Sequence, residues 1–333
     1  RDLHSFPTRR SSDLDLLDVY GKDRERKTFI NNFIYASYED PYCGVGSFEI
    51  KVPITEQSIP HLIKDNYILF DEGILGVIQS RLFEQNEEAQ NVLTISGKTI
   101  HELFFRRCFD LPHKYNGKLS VIARNMVNDL CISPVDAKRI ISLISLSQDE
   151  QYVPAGQTFK MQKTGDYLAD ALEDILSLED KGYKLYPIFE NDNGYVIDSL
   201  EFRVYEPVDR TIGNADDNTP VVFSSELNNI QDFIYEENAD DYKNFAYGAG
   251  QGRGERRYVV SVGDTEVQDL DRYELYVDAR DVQQQEEQTE AEYLEVLRER
   301  TLERMLEHKA FVSVNGTIVE GTTAYRIGVD FNS

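Results

Sequence analysis

Residues 31–55 read NNFIYASYEDPYCGVGSFEIKVPIT. Apolar and polar residues alternate on either side of a turn-rich centre, DPYCGVG at 40–46. Period-two alternation sends successive side chains to opposite faces of a pleated strand, and Pro and Gly between two such runs supply the reversal. The stretch therefore predicts a β-hairpin with one face on a core. Downstream, NYILFDEGILGVIQSRLFEQ (66–85) adds two strands around the turn Asp71-Glu72-Gly73, and EAQNVLTISGKT (88–99) adds another that ends near Gly97. Strands at this spacing predict a β-barrel-like or sandwich domain over 15–112, not a parallel α/β sheet.

The period then changes. TIHELFFRRCF (99–109) and PVDAKRIISLISL (134–146) carry apolar residues at helical spacing, with Ser133-Pro134 as a helix start. TGDYLADALEDILSLEDKGY (164–183) predicts a helix with the stripe Tyr167, Leu168, Ala171, Leu172, Ile175 and Leu178, stopped by Gly182. Residues 113–194 thus read as a helical, α/β insertion. Strands resume in YKLYPIFE (183–190), GYVIDSLEFRVYEP (194–207) and TPVVFS (219–224), and after the acidic YEENADDYKN (235–244) in FAYGAG, ERRYVVSVG and DRYELYVDAR. A long amphipathic helix follows over 284–309, with Leu294, Leu297, Leu302, Met305 and Leu306 to one side, docking on the adjacent β domain. The fold class expected is α+β and β-rich: β-barrel-like modules at 15–112 and 195–333, an α/β insertion between them, and a long C-terminal amphipathic helix. Ser47–Val52, Ser199–Val204 and Arg272–Val277 share one rhythm, apolar-Glu-apolar-polar-Val, which fits either an internal repeat or strand alternation alone.

The first fourteen residues, RDLHSFPTRRSSDL, fit nothing after them. They have no periodicity, and in one reading frame they resemble a translated sequencing-library adapter. The expectation is that 1–14 are not native and that the chain is truncated at its C-terminal end as well. The chain of 333 residues carries a net charge of −25; setting aside the three Arg and two Asp of that segment leaves 32 basic and 58 acidic residues, net −26. Such a charge argues against a partner bound through phosphates or an anionic membrane surface. No apolar run is long enough for a transmembrane helix. Three widely spaced cysteines (Cys43, Cys108, Cys131) make no disulfide framework.

A search for chemistry returns none. His61, His101, His113 and His308 form no metal-ligand spacing. His101-Glu102 opens like a zinc-protease helix, but Phe105 occupies the place of the second histidine. Cys108 and Cys131 read as small buried residues on helices. The run Tyr247–Glu255, YGAGQGRGE, misses the dinucleotide fingerprint and precedes a strand, so it predicts a flexible hairpin loop with positive-φ positions. No Ser is flanked as in a nucleophile elbow, no EF-hand spacing occurs, and Glu236-Glu237-Asn238-Ala239-Asp240-Asp241 reads as solvated surface. No carboxylate pair stands out. The expectations are no catalytic residues, no metal and no cofactor.

The succession YEDPYCGVGSFEIKVP, VLTISGKTIHELFFRR, DRT, VVFSSELNNI, FAYGAGQGRGERR and DRYELYVDARD resembles the siphovirus minor tail proteins of the gene-product-37-like group, in that family's order, over nearly all of 15–331. The matching positions are Gly46, Phe48, Gly97, Arg107, Asp209-Arg210-Thr211, Phe223, Asn229, Arg257, Arg272 and Glu274. The resemblance implies a structural, non-enzymatic tail-tip (baseplate hub) protein of the virion. It also implies a homotrimer that caps the tail tube beneath the distal tail protein, with the tape-measure and receptor-binding proteins as further neighbours. Two rivals stand beside it: a carbohydrate-active or peptidoglycan-cleaving enzyme using a carboxylate pair in an aromatic-lined cleft, and a glycan receptor-binding module.

Overall fold

The 31–55 hairpin forms as β4 (Tyr35–Tyr38) and β5 (Ser47–Pro53), and a large sheet grows from it. The computed structural model describes residues 9–10, 16–55, 59–71, 73–85, 91–147, 158–191, 193–222, 224, 226–227, 230–308 and 311–318. With β1 (Arg9–Arg10), β2 (Leu17–Tyr20), β3 (Arg26–Ile30), β6 (Tyr67–Asp71), β7 (Ile74–Gln85) and β8 (Asn91–Thr99), the hairpin makes an eight-stranded antiparallel sheet ordered β1-β4-β5-β8-β7-β6-β2-β3. Alternation sends Phe48, Ile50 and Val52 of β5 inward. Ile30 of β3 and Ala36 and Tyr38 of β4 share their core although they stand near opposite ends of the sheet. The sheet is therefore curled like a barrel, but its terminal strands do not pair and it stays open.

The next segment covers the other side of this sheet. β9 (His113–Lys118) pairs with β11 (Thr158–Lys163), while β10 (Ile144–Leu146) lies parallel to β13 (Ile197–Tyr205), which pairs antiparallel with β12 (Gly182–Phe189). α1 (Leu119–Val127) and α2 (Leu168–Leu176) pack between them, and Leu75 and Val77 of β7 join their core. α2 is the helix expected there, its stripe Leu168, Ala171, Leu172 and Ile175 fully buried. Tyr167 is its exposed N-cap rather than part of the stripe.

Two readings change. PVDAKRIISLISL is not a helix: it forms one 3-10 turn at Ala137–Arg139 and then β10. The Asp136 carboxylate accepts from Lys138 N–H at 2.9 Å, a local bond that competes with helix, and the β-branched run after it suits a strand. α1, at 119–127, was not anticipated; it starts at Lys118 without a side-chain cap, so the start signal is missing.

The C-terminal block holds β14 (Ile230–Asn238) paired with β18 (Phe311–Ile318), and a sheet ordered β16-β15-β17. Its strands are β15 (Phe245–Ala249), β16 (Val259–Gly263) and β17 (Glu274–Asp278), with β17 parallel to β15. β14 takes in the start of the acidic stretch 235–244, and 219–222 of TPVVFS form no strand. α3 (Glu290–Leu306) packs on this sheet, started by a capping box between Thr289 and Glu292. The three look-alike segments fall on β5, β13 and β17, each with different neighbours, and strand alternation accounts for their rhythm.

Of residues 1–14 only Arg9–Arg10 is described, a two-residue ladder on the outer edge of β4. So short an edge addition contributes little. Deleting 1–14 should leave the thermal midpoint unchanged within error; a fall of several degrees, about 1 kcal/mol or more, would show that the segment packs.

Candidate functional site

Three of the signature residues meet at one point in the large sheet. Phe48 stands opposite Gly97 in the β5–β8 register, and its ring lies 5.1 Å from that of Phe70. A Cβ on Gly97 would sit 1.9 Å from the Val77 carbonyl oxygen and 2.8 Å from the Phe48 ring, so no other residue fits there. Gly46 is equally tight against the Glu39 carbonyl, and its N–H donates to Thr99 Oγ1 at 3.0 Å. These positions let the strands close around an aromatic centre.

His101 continues the same brace. It is fully buried; its Nε2 accepts from Leu185 N–H at 3.1 Å, which leaves Nδ1 to donate to Thr99 Oγ1 at 3.1 Å. One imidazole therefore ties the large sheet to β12. Burial, and then Lys184, pushes its pKa down to about 3, so the ring is neutral in the fold. Among the described residues no group of three His, Cys, Asp or Glu could hold a metal ion. Burial pushes the Cys131 thiol up to about 12 and the Cys43 thiol higher still. Cys108, expected to be buried, is exposed where it bridges to Tyr167.

Arg107 leaves the 3-10 helix Ile100–Arg106 and donates from Nε to the Arg139 carbonyl at 2.6 Å. Asp209 accepts from the N–H and hydroxyl of Thr211 at 2.9 and 2.7 Å, bonds that hold its carboxyl below the usual range. Arg210 reaches the Thr219 carbonyl, closing that loop. Phe223 and Asn229 lie outside the described residues.

The last three signatures come together on the face of the β16-β15-β17 sheet that points away from α3. Arg257 donates to the carbonyls of Ala249 and Gly250 at 2.7 and 2.9 Å, to Asp278 at 2.5 Å and to the Tyr276 hydroxyl at 3.1 Å. Arg272 lies 3.6 Å over the Phe245 ring and donates to Glu274 at 2.7 Å and the Tyr247 hydroxyl at 3.2 Å. Arg280 first, with Arg257, brings the Asp278 pKa down to about 2. The Gly-rich run does form the β15–β16 turn, with Gly252 and Gly254 at positive φ. Gly248, by contrast, is set by close approach: a Cβ there would lie 1.7 Å from Thr301 Oγ1 of α3. Tyr247, Tyr276 and Asp278 escaped the sequence reading, though alternation along DRYELYVD places Glu274, Tyr276 and Asp278 on one face.

An open depression of about 500 Å³ lies between β2 and the end of β12, lined in part by Asp18, Tyr20, Phe189, Glu190 and Asn193. Its best-placed groups are already engaged: Asp18 is 2.6 Å from Arg26, and the Tyr20 hydroxyl donates to the Gly194 carbonyl at 2.7 Å.

The signature side chains brace backbone across a β-rich chain of packed sheets, and comparison gives the class: a siphovirus protein. More particularly, the family model described as Siphovirus ReqiPepy6 Gp37-like protein matches residues 16–333, and the chain belongs to that family. Among solved structures, similarity extends to the tail protein from Neisseria meningitidis MC58 (16% identity, 87% of this chain and 75% of that one, TM-score 0.42). It extends also to the prophage MuSo2 43 kDa tail protein from Shewanella oneidensis (11%, 86% and 76%, TM-score 0.39). A third is the Francisella PdpA-VgrG complex, half-lidded (12%, 82% and 45%, TM-score 0.38), of which this chain spans less than half. No curated protein matches the chain. The fold class is the α+β, β-rich one expected, and no described helix is long and apolar enough to cross a membrane.

His101 yields a pH test. A group whose pKa is depressed by folding adds stability that is present above its unfolded value and lost as pH falls toward the folded one. Acidification from pH 6.5 toward 4 should therefore weaken the wild type more steeply than His101→Gln, by up to about 1.4 kcal/mol per pH unit. Denaturant titrations across that range measure it, and equal slopes would show that His101 is not held neutral.

Proposed function

We propose that this siphovirus protein is a tail protein and the hub of the tail tip: a homotrimer without enzymatic activity of its own that caps the tail tube beneath the distal tail protein. There it joins the tube to the tape-measure and receptor-binding components. The observation that carries this reading is what the signature residues do. Gly46, Phe48 and Gly97 let strands of the large sheet approach closely, Arg107 and Asp209-Arg210 fasten loops, and Arg257, Arg272 and Glu274 stiffen the small sheet. Residues kept for rigidity suit a protein that must hold a ring under load. The clamp around Arg257 is bordered by exposed Tyr276 and Val259, and Tyr and Arg on a preordered surface are the side chains that carry protein–protein contacts.

The blocks at 15–112 and 195–333 are the proposed ring-forming faces, with 113–194 as the insertion between them. A sixfold tube met by three chains requires two such faces from each chain, and pairing them would cover sheet edges that the isolated chain leaves open. Averaged electron microscopy or quantitative mass spectrometry of virions should find three copies per tail at the tip. Six copies, or a position on peripheral fibres, would refute the hub role.

The depression holding Asp18 and Glu190 beside Tyr20 and Phe189 is the feature that favours the glycosidase rival. Purified protein should release no reducing ends or free amines from host peptidoglycan or cell-wall polysaccharide. Turnover abolished by Asp18→Asn or Glu190→Gln would replace the structural reading with an enzymatic one.

A further inference from the structure

α3 has two faces of opposite chemistry. Tyr293, Leu297, Thr301 and Met305, spaced by four, are buried, and the helix packs them on the β16-β15-β17 sheet. Glu292, Glu295, Glu299 and Glu303 run down the other side. That side meets the antiparallel β9–β11 pair, which carries Lys114, Lys160 and Lys163. Lys160 Nζ is 2.7 Å from Glu295, and Lys163, 1% exposed, pairs with Glu303. Arg300 lies 3.0 Å from Glu303 and 3.1 Å from Asp281, and Asp174 of α2 is 3.8 Å from Lys163. The apolar cluster under α3 is separate from the one around α1 and α2, so the contact between these two bodies is ionic. Within it Glu299 is half-buried between two other glutamates, and among the described residues no cation pairs with it.

We propose that the C-terminal module borne on α3 docks against the β9–β11 pair through a protonation-sensitive seam, closed while the half-buried Glu299 is protonated and loosened when it ionises. The charged groups facing the seam are Glu292, Glu295, Arg300, Glu303 and Arg304 from α3, Glu307 just beyond it, and Lys114, Lys160 and Lys163 from the strand pair. Asp174 from α2, Asp166 before it and Asp281 complete the set.

Burial, reinforced by Glu295, pushes Glu299 up to about 7, and burial pushes Asp174 up to about 6 although Lys163 opposes it. Burial would raise Glu303 as well, but Lys163 and Arg300 hold it below its ordinary value, so the Glu303 carboxylate keeps its charge beside them. In the undocked state the Glu299 carboxyl returns to solvent and to about its ordinary 4.5. The docked state therefore binds the proton more tightly. Docking is strengthened by acidification below 7 and loses that contribution as pH rises through 7. Packing through charge rather than apolar area makes the contact one that can open without unfolding either body.

Acylation of lysine amines in the full-length protein, read by mass spectrometry, tests this. Lys163 reports the seam, and Lys184, 4% exposed and paired with Asp40 elsewhere, is the internal reference. The Lys163/Lys184 labelling ratio should be at least about tenfold higher at pH 8.5 than at pH 6 in the wild type. In Glu299→Gln, whose amide cannot ionise, it should stay low at both. Glu303→Gln, which strips Lys163 of its partner, should label strongly at both; if that variant does not fold, Glu299→Gln alone decides. A ratio independent of pH in the wild type, or an equal rise in Glu299→Gln, overturns the proposal.

Discussion

The arrangement of the molecule depends on a buried lysine. Lys163 lies at the end of β11 with 1% of its side chain exposed, where an unpaired ammonium could not be tolerated. It is satisfied by Glu303 of α3, from 140 residues away, with Asp174 of α2 nearby. α3 must therefore lie across the β9–β11 pair, and the small sheet that packs on its other face is carried with it. Thr301 and Tyr293 on that face are fitted against Gly248 and Gly250, so sheet, helix and strand pair become one stack.

The same device recurs at two other places in the chain. Lys184 of β12 is 4% exposed and pairs with Asp40 beyond β4, and Lys181 is as buried and lies 2.8 Å from Glu206 beyond β13. A chain with 35 cations against 60 acids has few cations to place. Those buried here sit at junctions, where each neutralises carboxylates that would otherwise repel across the seam. A buried pair of this kind contributes little net stability compared with an apolar contact, but removing one partner is costly, so it specifies which surfaces may meet.

This explains which parts of the structure could be read from residues alone. Alternation is a local property, and β4, β5, β6, β7 and β8 are the strands it predicts; the stripe of α2 is local too. α1 and β14 were hidden for local reasons as well, the first lacking a cap signal and the second carrying acids on a strand. The contacts that join the bodies are not local. Nothing in TFKMQK marks Lys163 as buried, and nothing in the EAEYLEVLRERTLERML stripe tells which glutamates face solvent and which face lysine. The signatures stood between these cases: Gly97 and Phe48 could be picked out by family likeness, yet why a glycine is needed follows only from the Val77 carbonyl that passes 1.9 Å from its absent Cβ.

His101 shows how far a motif can mislead when its surroundings are unknown. In sequence it starts like a metal-binding helix; in the fold both ring nitrogens are committed, one to Leu185 and one to Thr99, in a site that disfavours charge. The arginines follow the same logic. Arg257 spends its donors on two backbone carbonyls, a carboxylate and a phenol, and Arg272 caps an aromatic ring while gripping Glu274. A guanidinium held on four sides is not available to bind an anion in transit, but it fixes the tyrosines beside it at small further entropic cost. Such pre-ordering is what a surface needs if it is to meet a neighbouring subunit in one geometry.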